Sequence, residues 1–288
     1  MKNRTYYLLV TVCILLFLAA CTSKKVAQNE SQQTTTNSVI SEITQKSSVP
    51  TLFIHGYGGG SYSFGRMIDR LSENDQTQKE LVLTVNAKGE VKADGELTGK
   101  EDNPSIQIIF EDNKNTEWNQ AQWLKNCLVY IQDKYDITEV NLVGHSMGGV
   151  SSLRYMTSFG EDERLPKINK FISIAAPFNN FMELSDGETI DDVLNDGPDV
   201  QSERYTEYVN GMNKVSKDMD VLIIAGDVED GSSSDKTVSV ADALSVVSLL
   251  KKHGNQVQDK IFYGKLAQHS QLHENKDVDQ LVADFLWE

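Results

Sequence analysis

Apolar residues along this chain follow two rhythms. Short runs, TLFIHG (51–56), SIQIIFE (105–111), 139–144, 169–175, DVLIIAG (220–226) and DKIFYG (259–264), read as strands buried on both faces. Between them lie stretches with helical spacing at 62–73, 117–135, 147–158, 240–252 and 276–287. Residues 117–135 carry Ala121, Leu124, Leu128, Ile131 and Tyr135 on one face, the pattern of a helix packed against a core. The stretch ELVLTVNAKGEVKADGELTG (80–99) alternates about an AKG turn and predicts an antiparallel hairpin. Strands alternating with helices predict an α/β fold, a mostly parallel sheet with helices on both faces. The hairpin and the acidic segment 177–218 read as insertions, the second as a cap over the sheet's active edge.

The N-terminus has another texture. Lys2 and Arg4 precede the apolar run YYLLVTVCILLFLAA, which is short for a membrane span and has the layout of a secretory leader. It ends in LAAC, which resembles the bacterial lipoprotein cleavage box, so residues 1–20 are expected to leave and Cys21 to carry lipid. The segment 21–49 is rich in Ser, Thr, Gln, Asn and Lys and reads as a flexible polar tether. One domain, 50–288, follows. Cys13 belongs to the leader, so Cys127 is the one cysteine left beside Cys21, and its place on an apolar helix face predicts a buried small hydrophobe.

Charge narrows the partners. The net charge of -15, with no basic stripe, argues against nucleic acid. The expected partners are a small-molecule ester and, through Cys21, the outer face of a membrane. No cofactor is expected. The aspartates of GDVEDGSSSDKTVSV lack EF-hand spacing, and no phosphate-binding G-x-x-x-x-G-K-[ST] occurs, so no metal or phosphate loop is expected either.

The chemistry concentrates in VNLVGHSMGG (140–149), where Gly144-His145-Ser146-Met147-Gly148 sits between a predicted strand and a predicted helix. That is the setting of a nucleophile elbow, in which glycines let strand and helix approach while serine takes a strained backbone. A serine hydroxyl needs a base oriented by an acid, and on such folds the chain order is Ser, acid, His. Both His269 and His273 in AQHSQLHEN satisfy the order. His269 is preferred because it is nearer the strand end. His145 should point away from the hydroxyl, His55 belongs to the first glycine loop, and His253 reads as a helix C-terminal residue. After strand 220–226 the acid could be Asp227, Asp230 or Asp235, with Glu229 weaker. Asp235 is preferred, since DKTVSV is similar to the D-x-x-V-P ending that follows the acid in hydrolases of this fold. HGYGGG (55–60) follows the first strand, and the backbone N–H groups of Tyr57 and Met147 would form the oxyanion hole.

These motifs resemble the α/β-hydrolase superfamily. FIHGYGGG, NPSIQIIF, VNLVGHSMGG and AQHSQLHEN, in that order over 50–288, are similar to a family of Gram-positive cell-surface hydrolases of unassigned function. The resemblance implies Ser146 as nucleophile, Asp235 as acid, His269 as base and carboxylesterase activity on short acyl esters. DKTVSV departs from the family's glycine- and proline-bearing version. A non-catalytic surface-binding module on the same fold, and a peptidase or acyltransferase, are the competing readings. If the acids of 177–218 shape the pocket, anionic substrates should be disfavoured.

Overall fold

The computed structural model describes residues 46–288; the leader, Cys21 and most of the tether lie outside the described residues. The strands are β1 (Thr51–Ile54), β2 (Gln78–Val85), β3 (Val91–Gly95), β4 (Pro104–Phe110), β5 (Glu139–His145), β6 (Lys167–Ile174), β7 (Asp220–Asp227) and β8 (Gln256–Tyr263). They form one sheet in the order β3-β2-β4-β1-β5-β6-β7-β8. Every pairing is parallel except β2 with β3. The hairpin predicted at 80–99 is therefore built into this sheet: β2 runs parallel to β4, and β3 closes the edge.

The central strands read as unbroken apolar runs because both faces are covered. Phe53 of β1 and Val143 of β5 pack with α1 (Ser61–Glu73) and the C-terminal α8 (Lys276–Trp287). Their neighbours Leu52, Ile54 and Leu142 pack on the opposite face with α2 (Glu117–Tyr135) and α3 (Met147–Phe159). Cys127 is buried in that second layer, and burial pushes its thiol pKa up.

Several features differ from the sequence expectation. The helix expected over 240–252 is two, α6 (Val240–Leu244) and α7 (Val247–His253). The Ser245 hydroxyl donates to the Asp242 carbonyl at the break, the local competition for backbone that serine offers inside a helix. The last strand begins at Gln256, earlier than 259, because β8 is the sheet's edge and its exposed polar residues interrupt the apolar run. Segment 177–218 holds α4 (Ile190–Asp196) and α5 (Glu203–Gly211), and it buries Phe178, Val193, Tyr205 and Tyr208. Phe178, Tyr205 and Tyr208 join the α2–α3 core, so much of the acidic segment is scaffold.

Candidate active site

At the C-terminal end of β5 the chain turns through Ser146 into α3. Ser146 has φ 52° and ψ -124°, a left-handed value that a non-glycine residue adopts only when its surroundings enforce it. Close packing does so here. A Cβ on Gly148 would lie 2.1 Å from the Ile54 carbonyl oxygen, and one on Gly144 would lie 2.5 Å from the Gly149 nitrogen. The two glycines thus let β1, β5 and α3 meet, and the Ser146 N–H is held by the Ile174 carbonyl at 2.8 Å. The hydroxyl is left projecting from the sheet edge, where open α/β sheets bind ligands.

His269 reaches it from the segment after β8. Its Nε2 is 3.0 Å from Ser146 Oγ and its Nδ1 is 2.7 Å from Asp235 Oδ2. Asp235 is 1% exposed, and its other oxygen, Oδ1, accepts the N–H groups of Thr237 at 2.8 Å and Val238 at 2.7 Å. The carboxylate is thereby aimed at one imidazole. Its competitors are engaged locally: Asp227 accepts the Glu229 N–H at 2.8 Å, and Asp230 accepts the Ser232 hydroxyl at 2.6 Å. The structure brings Ser146, His269 and Asp235 together and leaves Asp227, Asp230 and Glu229 out of that chain of contacts.

The other histidines have distinct places. His145 donates from Nε2 to the His269 carbonyl at 3.0 Å. Its ring lies between those of His269 and His273, at centroid distances of 4.7 and 4.8 Å. Burial, reinforced by these two neighbours, holds its pKa well below the ordinary histidine value. A neutral His145 thus tethers the backbone of the candidate base. His273 is buried beside Glu274 and does not reach Ser146. His55 accepts the Phe110 N–H on Nε2 at 3.0 Å and donates from Nδ1 to the Gly56 carbonyl at 2.8 Å, anchoring the glycine loop to β4. Burial lowers its pKa, which suits this neutral tautomer. His253 bonds the Val215 carbonyl at the end of α7.

In that loop, Gly58 N–H donates to Asn113 O at 2.8 Å and Asn113 Nδ2 donates to Gly59 O at 2.7 Å. Among the described residues, the N–H groups of Tyr57 and Met147 have no backbone acceptor, and both residues border Ser146.

Two clefts meet at Ser146. One, of about 430 Å³, is lined by Met147, Pro177, Phe181 and Thr237. The other, of about 290 Å³, is lined by Ser63, Arg66, Gln271 and Glu274 among others. None of the acids Glu183, Asp186, Asp191, Asp192, Asp196 and Asp199 lines either cleft. The expectation that they disfavour anionic substrates loses its premise. What segment 177–218 contributes is Pro177, Phe181 and Arg204, the last donating to the Pro177 carbonyl at 2.7 Å and pairing with buried Glu117 at 2.5 Å.

Asp242 was not singled out from sequence, where its only mark is a Ser239 cap three residues before it. Its fully buried carboxylate accepts N–H groups of Asn179 at 2.5 Å and Met182 at 3.1 Å, gripping the segment that carries Phe181. Asn180 and Phe181 there have φ of 60° and 63°. Burial raises the Asp242 pKa from 3.8 to about 7 against the pull of these N–H groups. A carboxyl whose folded pKa is raised holds its proton more tightly when folded. Its contribution to stability is fully present below pH 3.8 and is lost as pH rises through about 7. Between those values the slope approaches about 1.4 kcal/mol per pH unit. Urea unfolding at pH 5 and pH 8 should therefore show wild type losing stability relative to Asp242→Asn; an equal difference at both pH values would contradict it.

An eight-stranded, mostly parallel sheet with a serine on a strained strand–helix turn defines the class: an α/β hydrolase fold with its elbow intact. The chain belongs to the family described as "Alpha/beta hydrolase of unknown function (DUF915)", whose model matches residues 38–288. The lin2722 product of Listeria innocua is 28% identical, with a TM-score of 0.76 over 83% of this chain and 93% of that one. A protein of Lactobacillus plantarum WCFS1 described as a cell surface hydrolase shares the fold, with a TM-score of 0.64 and 17% identity over 83% of this chain and 89% of that one. GPI inositol-deacylase B of Yarrowia lipolytica is 27% identical over 148 residues, 48% of this chain but 14% of that protein. The chain therefore spans only a small part of that curated relative. No described helix is long and apolar enough to cross a membrane.

Proposed function

We propose that this protein is a serine hydrolase of carboxylic esters, tethered outside the cell through Cys21. The observation that carries the reading is the continuous hydrogen-bonded chain from Ser146 Oγ through the His269 imidazole to Asp235. In the proposed cycle Ser146 attacks the ester carbonyl carbon while His269 Nε2 takes its proton. Asp235 keeps the proton on Nδ1 and stabilises the imidazolium. The oxyanion is met by the Tyr57 and Met147 amides. His269 then protonates the departing alcohol, and water, activated by the same imidazole, releases the acid. The deacylase among the relatives is compatible with transfer of an acyl group to water. The tether rests on the basic n-region, apolar run and LAAC box of residues 1–21.

A fluorophosphonate probe tests the nucleophile. Folded protein should be labelled with one adduct on the peptide containing Ser146, and unfolded protein should not. Absence of labelling would favour the non-catalytic binding module instead.

A further inference from the structure

The two clefts at Ser146 differ in chemistry, and an ester has two halves. Resting on the esterase reading above, we propose that the substrates are esters joining an apolar acyl chain to an uncharged, hydroxyl-rich alcohol such as glycerol or a sugar.

The attacked carbon must sit at Ser146 Oγ, with its oxygen toward the Tyr57 and Met147 amides. The larger cleft opens on Ser146 and is lined by Met147, Pro177 and Phe181. Its one cationic side chain, Arg204, is already engaged by the Pro177 carbonyl and Glu117. That wall offers an acyl chain contact area and few polar partners, the usual composition of a ligand site. The smaller cleft is walled by the segment His269–Glu274 itself. The leaving oxygen takes its proton from His269 Nε2, so the alcohol departs along the segment that carries His269. The Ser146 Oγ–acyl bond forms, the acyl–alcohol C–O bond breaks, and the proton from Ser146 passes through His269 to the alcohol oxygen.

The charge in that cleft decides what kind of alcohol fits. Arg70 pairs with Glu274 at 3.0 Å and with Asp279 at 2.5 Å, and Arg66 approaches Glu274 at 3.7 Å, so two carboxylates meet two guanidiniums, while His145 and His273 are pushed toward neutrality by burial. The cleft thus presents hydrogen-bonding groups with compensated charge. Gln271 is exposed there. Such a wall rewards hydroxyls and gives a charged phosphate little net attraction. A site that hydrogen-bonds substrate hydroxyls discriminates strongly against an analogue lacking them.

The test compares kcat/KM of the full chain in detergent for 1-octanoylglycerol, ethyl octanoate, 1-octanoylglycerol 3-phosphate and p-nitrophenyl octanoate. The expected result is 1-octanoylglycerol at least about tenfold above ethyl octanoate and above the phosphorylated ester. Gln271→Ala should bring the glycerol-to-ethyl ratio toward one. Phe181→Ala should reduce the preference for octanoyl- over acetylglycerol. A glycerol-to-ethyl ratio of one or less, or preference for the phosphorylated ester, overturns the proposal. If p-nitrophenyl octanoate is still hydrolysed in that case, the esterase reading survives. If no ester turns over and fluorophosphonate leaves Ser146 free, both fall.

Discussion

Asp235→Asn is expected to lower kcat on p-nitrophenyl butyrate by about ten-thousand-fold, while Asp227→Asn and Asp230→Asn stay near wild type. The asymmetry follows from what each carboxylate touches. Asp235 presents one oxygen to His269 Nδ1 at 2.7 Å and spends the other on two backbone N–H groups, so its orientation is held from both sides. An asparagine in the same pocket would keep the shape but offer the imidazole an amide. The favoured tautomer would then no longer leave Nε2 free to accept the Ser146 proton. Unfolding midpoints of all three variants should accompany the rates. A loss confined to Asp227→Asn or Asp230→Asn, with Asp235→Asn active, would reassign the acid.

Ser146→Ala is expected to remove roughly a million-fold of kcat on the same ester, leaving the rate at the background of the oxyanion donors. Stability separates this from a folding defect. The backbone at Ser146, φ 52°, is strained for any residue with a Cβ, and that strain is of order 1 kcal/mol or more. Alanine keeps the Cβ, so Ser146→Ala should unfold at nearly the wild-type urea concentration. Glycine tolerates positive φ, and Ser146→Gly should be inactive yet more stable by about 1 kcal/mol. Inactivity with raised stability would mark a position where the fold accepts strain to aim a hydroxyl. Full activity in Ser146→Ala would end the serine-hydrolase reading.

Much of this fold is legible in sequence because its elements are long or sharply bounded. The parallel strands announce themselves as apolar runs, since both faces are buried, and α2 announces itself by its stripe. Edge strand β8 is blurred because one side meets solvent, and the break at Ser245 is invisible because a hydroxyl–carbonyl contact has no periodic signature. Segment 177–218 misleads in another way. Its acids are conspicuous in composition and lie outside the clefts, while Phe181 and Arg204, which reach the site, are single residues in a polar background.

The sequence by itself determined the class of fold and the glycine-flanked turn at Ser146, and it showed candidate acids and histidines following that serine in the order expected on such a fold. Those are statements about neighbours along the chain: glycines at fixed offsets from a serine, a strand before it and a helix after it. Only the tertiary structure decided which aspartate meets His269, that His145 tethers that histidine's backbone, and that Asp242 grips the loop carrying Phe181. Each of these contacts spans 34 or more residues, 124 for His145 with His269 and 63 for Asp242 with Asn179. Local pattern carries no distance information over such separations; the packing of the sheet and its loops supplies it.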